Sequence, residues 1–176
     1  MNQTYVDSVS LLLDVAPAVF RSPYFAMKGG TALNLFLQEM PRLSVDIDVV
    51  FTDHTLDRDA ALAQIATELA AVRERVEAMG YGTELRATRQ GDETKLFVTS
   101  DRAEVKVEVN YVLRGVLRPI QLRPLTPATQ ALFAQAVTLP ILDTAELYGS
   151  KLVAALDRQH PRDLFDVRIM LDRIGL

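Results

Sequence analysis

The chain has 176 residues, of which 49% are hydrophobic and 24% are charged, and its net charge is −4. This composition is typical of a globular protein, so we expect one domain over residues 1–176, with a sheet-containing part over 1–123 and C-terminal helices over 124–176. The lack of cysteine excludes disulfides, thiolate nucleophiles and cysteine-based zinc sites, and the acidic charge argues against nonspecific nucleic-acid binding. No apolar run is long enough to cross a bilayer and the first residues lack signal-peptide features, so we expect a cytoplasmic protein without a membrane partner.

The first part of the chain alternates between predicted helices and strands. Apolar residues at helical spacing indicate a first helix that bends or ends near Pro17. The run VDIDVVF alternates between apolar and acidic residues and is rich in β-branched side chains, which predicts a strand. The predicted elements are a helix over residues 3–20, a strand over 24–27, a helix over 31–40 that ends at Pro41, and a strand over 45–51.

The longest predicted helix covers residues 57–79 and carries an apolar stripe at steps of three and four. This stripe also satisfies a heptad pattern, so a coiled-coil dimer is the alternative to a helix that packs on the core. We favour the core-facing helix, because fewer than about four heptads fit and alanines dilute the seam. The stripe consists of Leu62, Ile65, Leu69, Val72, Val76 and Met79.

The second half is predicted to begin with three antiparallel strands and to continue as helices. Gln90-Gly91-Asp92 and Ser100-Asp101 have the composition of the turns between the strands. This order of elements predicts an α+β fold with a mixed, mostly antiparallel sheet, flanking helices and a C-terminal helical segment. The predicted strands are 83–89, 94–100 and 103–112, and the helices are 127–136, 143–158 and 161–174.

Asp46 and Asp48 lie two positions apart in a predicted strand and therefore share one of its faces. Two carboxylates held about 6 to 7 Å apart in a half-buried place repel each other, unless a cation lies between them or one takes a proton. Oxygen ligands of this kind favour Mg²⁺ or Mn²⁺, and substrate phosphates complete the coordination. The alternative is a solvent-facing edge strand with two solvated aspartates.

The glycine turn, Gly29-Gly30, joins a predicted strand to a helix that starts at Thr31. Backbone N–H groups at a helix N-terminus form an anion site, and glycine lets phosphate oxygens approach the backbone closely. Many strand-to-helix turns contain glycine, so the turn alone is a weak signal, and its pairing with the acidic strand is more specific. We therefore expect phosphates at the turn to neighbour a cation at the carboxylates.

A third carboxylate, Glu108, lies in the predicted strand AEVKVEVNYV, where it shares a face with Lys106 and Asn110. If this strand lies beside VDIDVVF, Glu108 joins Asp46 and Asp48 as a metal ligand or serves as a general base for phosphoryl transfer. The alternative is a solvated Glu108 that pairs with Lys106 or with a cross-strand arginine.

The segments KGGTALNL and PRLSVDIDVVF resemble the signature of nucleotidyltransferases with the DNA polymerase β-like fold. They are more closely similar to the AbiEii/AbiGii toxin family, in which K-G-G-T-A-L and R-x-S-x-D-I-D are typical. ELYGSKLVAAL at 146–156 resembles the lysine helix of that family, and RQHPRDLFDV at 158–167 resembles its Arg-Asp-x-x-Asp segment. The resemblance covers residues 26–170, although Thr31 stands where many relatives have serine and the chain is shorter than many members.

This resemblance implies a Mg²⁺-dependent enzyme that transfers a nucleotide from an NTP to an acceptor, such as the 3′ end of tRNA. It also implies a toxin-antitoxin or abortive-infection system, with a cognate antitoxin as partner. By the same resemblance, Asp46 and Asp48 bind the metal, Lys151 binds phosphates and Asp163 completes the acidic centre. The residues of the first two motifs that would bind the NTP are Lys28, Gly29, Gly30, Thr31, Arg42 and Ser44.

The C-terminal motifs also have explanations without catalysis. Lys151 lies on the apolar stripe of its helix. Either its side chain extends so that the ammonium reaches the surface, or the ammonium binds an anion. Pro161 suits the first position of a helix, which places Asp163 in the first turn, where the helix dipole favours negative charge. Arg162 and Asp166 have the spacing of an i,i+4 ion pair.

A catalytically silent module that binds nucleotides or a partner protein is the alternative to an enzyme, and the intact Asp46 and Asp48 favour the enzyme. His54 is expected in a loop and His160 at a helix cap, and neither has metal-ligand spacing. Five arginines fall on or near the predicted strands of the second half, where they are either solvated or form a patch for RNA. They are Arg86, Arg89, Arg114, Arg118 and Arg123.

Overall fold

The computed structural model describes residues 3–87 and 94–174, so the predicted turn at Gln90-Gly91-Asp92, the end of the strand predicted over 83–89, and Arg89 lie outside the described residues. The helices are α1 (Gln3–Val19), α2 (Gly29–Phe36), α3 (Arg58–Ala78), α4 (Pro127–Phe133), α5 (Thr144–Arg158) and α6 (Pro161–Ile174). The strands are β1 (Phe25–Lys28), β2 (Ile47–Phe51), β3 (Gly82–Ala87), β4 (Thr94–Thr99), β5 (Glu104–Arg114), β6 (Gln121–Pro124) and β7 (Thr138–Ile141). Across the two described ranges, no helix has the length and apolar character needed to span a bilayer.

The described strands form one sheet in the order β3-β4-β5-β2-β1-β7-β6. β2 pairs in parallel with β5 and β1 pairs in parallel with β7, whereas the other neighbours are antiparallel. β3, β4 and β5 form the predicted antiparallel meander, and helices flank the sheet. The predicted α+β fold with a mixed, mostly antiparallel sheet is therefore confirmed.

The hydrophobic core includes the apolar side chains of one face of β5. Alternation along this strand gives Val105, Val107 and Val109 a common face, and each is at most 1% exposed. α1 packs against both α3 and β5. The polar residues of the same strand, Glu108 and Asn110, lie on the other face, where they line a cleft.

α3 is the core-facing helix that its apolar stripe predicts, and burial in the core accounts for the stripe without a coiled-coil partner. The predicted stripe is wrong at one end, because Met79 is 46% exposed. The Asp57 carboxylate accepts a hydrogen bond from the Ala60 N–H (2.8 Å) and caps the first turn. The buried residues of α3 are Ala61, Ile65, Leu69, Val72 and Val76.

Three predicted boundaries of α2 and β2 are wrong, and one of them is the end of α2, which lies at Phe36 and not at residue 40. α2 begins at Gly29 and not at Thr31, because Gly29 adopts a φ of 78° and turns the strand directly into the helix. β2 begins at Ile47, so Asp46 precedes the strand.

The prediction of a wholly helical segment after residue 124 is also wrong, because β7 lies within it. The sequence does not predict β6 and β7, since each has four residues and Pro140 argues against a strand in β7. β7 nevertheless pairs with β1 in parallel, with Met27 opposite Ile141. This pairing extends the sheet beyond β1 and brings the chain to the start of α5.

Candidate active site

A row of four charged residues crosses four neighbouring strands, with two adjacent carboxylates in the middle and a lysine at each end. Asp48 of β2 lies opposite Lys28 of β1 and opposite Glu108 of β5, and Glu108 also lies opposite Lys95 of β4. Residues opposite one another in a sheet project from the same face. The expectation that the Glu108 strand lies beside VDIDVVF is therefore confirmed, and we call Lys28, Asp48, Glu108 and Lys95 the cross-sheet row.

Lys106 links the carboxylate of Glu108 to that of Asp46. Its Nζ lies 2.7 Å from Glu108 Oε2 and 3.8 Å from Asp46 Oδ2, and Lys95 Nζ lies 3.5 Å from Glu108 Oε2. Asp46 precedes β2, and its side chain is 52% exposed. Within residues 3–87 and 94–174, no three His, Cys, Asp or Glu side chains gather in a way that could hold a metal. The structure thus does not bring the three expected carboxylates into one metal cluster, because lysines hold Glu108.

Asp48 has the most perturbed environment of these carboxylates. Burial and the charge of Asp46 raise the pKa of Asp48 to about 6, although Lys28 opposes the shift. Burial also lowers the pKa of Lys28, against the attraction of Asp48. Lys28 therefore does not fully compensate the Asp48 carboxylate, which fits an additional cation.

The backbone of the glycine turn lies directly against the side chains of Asp48 and Arg42. A Cβ atom added to Gly29 would overlap the Asp48 carboxylate, and one added to Gly30 would overlap the Arg42 guanidinium. Thr31 is fully buried, and its hydroxyl shares a 2.9 Å hydrogen bond with the hydroxyl of Ser44. The turn therefore presents backbone to the cleft, whereas the Thr31 hydroxyl is engaged in the interior.

A buried ion cluster ties the segment after α2 to the two C-terminal helices. Arg42 donates two hydrogen bonds to Asp166, from Nε to Oδ1 (2.5 Å) and from Nη2 to Oδ2 (2.6 Å). Lys151 of α5 lies 3.0 Å from Asp166 Oδ2 and 3.1 Å from Asp163 Oδ1. Asp163 also lies 3.0 Å from Arg158. Because Asp166 is fully buried, these cations are needed to compensate its charge.

The predicted start of α6 is confirmed, but the ion pair predicted within this helix is wrong. Pro161 begins the helix, Asp163 lies in the first turn, and His160 Nδ1 accepts a hydrogen bond from the Arg162 N–H (3.1 Å). The predicted Arg162–Asp166 pair is wrong, because Asp166 faces the interior and bonds to the cations of the buried ion cluster.

Two adjoining cavities of 380 and 370 Å³ form one cleft over the sheet. The first runs from the glycine turn along α5, and the second extends from Arg42 and Asp46 to the start of α6. The residues that line both cavities are Gly30, Asp48, Glu108, Lys151 and Arg158.

Residues 10–175 match the family described as "Nucleotidyl transferase AbiEii toxin, Type IV TA system". The chain belongs to this AbiEii family. Among solved structures it is similar to MenT4, a nucleotidyltransferase toxin from Mycobacterium tuberculosis H37Rv, with a TM-score of 0.56 and 25% sequence identity. The likeness covers 89% of this chain and 56% of MenT4, so this chain spans little more than half the length of that relative. No curated protein sequence matches at a significant level.

Arg158 is a cleft residue of this AbiEii-family protein that the sequence does not predict. It lies in the last turn of α5, contacts Asp163 and remains 61% exposed. A terminal arginine is ordinary for a helix C-terminus, so only the tertiary structure shows that this one faces the cleft.

Four of the five arginines considered for RNA binding lie in the described part of the chain, and these four do not form one patch in this AbiEii-family fold. Arg86 lies in β3 at one edge of the sheet, and Arg123 lies in β6 at the opposite edge. Arg86 stacks over Phe97 at 4.1 Å, and Arg123 bonds to the Thr144 hydroxyl. Of these four arginines, Arg114 and Arg118 line one cavity together.

Proposed function

We propose that this AbiEii-family protein transfers a nucleoside monophosphate from an NTP to an acceptor hydroxyl. The observation that carries the proposal is Asp48, a carboxylate with a pKa raised to about 6 by burial and by Asp46, in a cleft beside the glycine turn. Asp46 and Asp48 are the residues that would hold Mg²⁺ or Mn²⁺, and both line the same cavity. When bound, the ion offsets the charge that develops on the transferred phosphoryl group.

The triphosphate fits the part of the cleft between the glycine turn and α5. The first backbone N–H groups of α2 have no partner within the helix, and the helix dipole makes them attractive to anions. Lys28 and Arg158 add positive charge at the same cavity. Lys151 has three N–H donors, of which two face Asp163 and Asp166, and we assign the third to a phosphate oxygen.

The glycine turn is held in position by contacts of the Arg42, Ser44 and Thr31 side chains. Arg42 packs against Gly30 and is fixed by Asp166, and the Thr31 and Ser44 hydroxyls bond to each other. We therefore propose that Thr31 positions the turn, whereas Gly29 and Gly30 contact the triphosphate.

The chemical step replaces one oxygen on the α-phosphorus with another. The acceptor hydroxyl oxygen bonds to the α-phosphorus, the bond to the bridging oxygen breaks, and pyrophosphate leaves with the bonding electrons. We assign the hydroxyl proton to Glu108, because Glu108 lies opposite Asp48 and its side chain is 25% exposed, whereas the Asp163 side chain is only 7% exposed. Burial raises the pKa of Glu108, but its contacts with Lys106 and Lys95 outweigh burial and keep the carboxylate ionised.

The acceptor that we propose is RNA, with the 3′ end of tRNA as the first candidate, and the regulatory partner is a cognate antitoxin. The family to which the chain belongs is described as a toxin of type IV toxin-antitoxin systems, which supports the antitoxin, whereas the RNA acceptor rests on the resemblance of the sequence motifs. A net charge of −4 means that RNA binding needs local contacts, and Arg158 at the cleft is one such contact.

Incubation with each labelled NTP, Mg²⁺ and total tRNA tests this function. We expect label on RNA with at least one NTP, and a loss of at least about a hundredfold in the Asp48→Asn variant, because that variant lacks a metal ligand. Asp53→Asn is the matched control, since Asp53 bonds to Thr55 in the loop after β2 and is absent from the cleft lining. Bound NTP without any labelled product would instead support a silent nucleotide-binding module.

A further inference from the structure

A larger cavity of 880 Å³ opens beside the cleft and shares Lys28 and Ser150 with it. Its apolar lining includes Val50 and Leu142, which are 2% and 6% exposed. The cleft, by contrast, is lined mainly by charged and glycine residues where it meets the sheet. A ligand that occupies both spaces would therefore have one highly charged end and one largely apolar end.

One wall of this cavity is formed by the loop after β5, and Glu146 of α5 holds this loop in place. Its carboxylate accepts hydrogen bonds from the N–H groups of Leu117 (2.7 Å) and Arg118 (3.2 Å) in the loop after β5. Leu117 is 94% exposed at the rim. The loop is thus anchored through its backbone, which leaves an apolar side chain at the cavity mouth.

Gly149, in the interior of α5, lines the same cavity. A Cβ atom added at this position would have no atom within 4 Å, so protein packing does not require glycine there. Glycine is also the least favourable residue after proline in a helix interior. The open space above a bare helix backbone, bounded by apolar residues, suits a flat ring that lies against the helix.

We propose that this cavity binds the nucleobase of the NTP whose phosphates lie in the cleft, and that Gly149 provides the room for it. This inference rests on the proposed function. The apolar lining suits the faces of a base, and the His54 ring and the Arg118 guanidinium at the same cavity are groups on which bases stack. Lys28 and Ser150 lie where the two spaces meet, between the proposed phosphate and base positions.

Binding of two kinds of probe, nucleoside triphosphates and tripolyphosphate, to Gly149 variants tests this proposal. The probes are each of the four common ribonucleoside triphosphates and inorganic tripolyphosphate, all with Mg²⁺, measured by titration calorimetry. In Gly149→Leu we expect the preferred NTP to bind at least about tenfold more weakly, with tripolyphosphate changed by less than about twofold. Gly149→Ala should give a smaller loss and raise the thermal unfolding midpoint, because alanine favours the helix. Leu156→Ala is the matched control, because Leu156 lies on the same helix and is 78% exposed. This variant should bind both kinds of probe as the wild type does.

The outcomes separate this inference from the proposed function. If wild-type protein binds both probes and Gly149→Leu binds the NTP equally well, the base site is refuted while the proposed function stands. If Gly149→Leu keeps NTP affinity but transfers nucleotide to RNA more slowly, the cavity receives the acceptor and the proposal is overturned. If wild-type protein binds neither probe, the proposed function fails as well.

Discussion

Replacing Asp48 by asparagine should stabilise the metal-free protein at alkaline pH. Burial and the charge of Asp46 raise the pKa of this carboxyl to about 6 from an ordinary 3.8, so ionisation is less favourable in the folded state than in the unfolded state. A shift of this size corresponds to about 3 kcal/mol of unfolding free energy at pH 8. Asparagine removes that cost, and about 3 kcal/mol is a ceiling because Lys28 loses its partner.

The pH dependence follows from the direction of the shift. Between the two pKa values the folded protein binds more protons than the unfolded chain, so this group makes the wild type less stable as pH rises through that window. The advantage of Asp48→Asn should therefore fall from at most about 3 kcal/mol at pH 8 to about 1 kcal/mol at pH 4.5. Urea unfolding at both pH values, in a chelator, measures the difference.

Asp101→Asn is the control, because Asp101 is exposed in the turn between β4 and β5 and its replacement should change stability by less than about 0.5 kcal/mol. The reasoning is refuted if Asp48→Asn is less stable than wild type at pH 8. A gain that is the same at both pH values would also refute it, since then ionisation of Asp48 is not the cause.

Three further variants test other parts of the site. Asp166→Asn should lower the unfolding free energy by about 3–5 kcal/mol, because Arg42 and Lys151 lose a buried anionic partner. Gly29→Ala should lower it by at least about 2 kcal/mol, since alanine is strained at a φ of 78° and its Cβ overlaps a neighbouring carboxylate. Lys106→Met should tighten Mn²⁺ binding roughly threefold to tenfold, because it removes a cation beside the proposed ligands. Urea unfolding measures the first two, and electron paramagnetic resonance measures free Mn²⁺ for the third.

Each of these variants has a control of the same chemistry. Asp172→Asn changes an aspartate that is 64% exposed, and equal losses at both aspartates would contradict the argument from burial. Gly80→Ala has a φ of 91° but open space around the new methyl group, so an equal cost there would show that overlap contributes nothing at the glycine turn. Arg102→Met changes an exposed cation in a turn, and an equal gain in Mn²⁺ affinity would exclude a local effect of Lys106.

Strongly patterned segments could be predicted from sequence because local physics determines them. α3 starts and ends within a residue of its predicted bounds, since Asp57 caps its start and Gly80, with a φ of 91°, follows its end. β7 could not be predicted, because a four-residue strand containing proline has no local signal and forms through its partner β1.

The candidate site also combines features that the local sequence predicts with features that only the tertiary structure determines. The face shared by Lys106 and Glu108 follows from strand alternation, but the register that sets Glu108 opposite Asp48 depends on the whole sheet. Local spacing predicts an Arg162–Asp166 pair, whereas burial gives Asp166 to Arg42, which lies far away in sequence. Long-range ion pairs of this kind carry no signature in a single sequence.

The cross-sheet row has a consequence for the order in which ligands arrive. Lys28 leaves the Asp48 carboxylate partly uncompensated, but the two lysines of the row still offset most of its negative charge, so the strands attract a lone divalent ion only weakly. When the ion is already bound to a triphosphate, the ion contacts the carboxylates while the phosphates contact the amides of α2. Both parts of the complex are then stabilised in one binding event. We therefore expect metal and nucleotide to enter as one species, with free Mn²⁺ bound far more weakly than its complex with the nucleotide in the same titration.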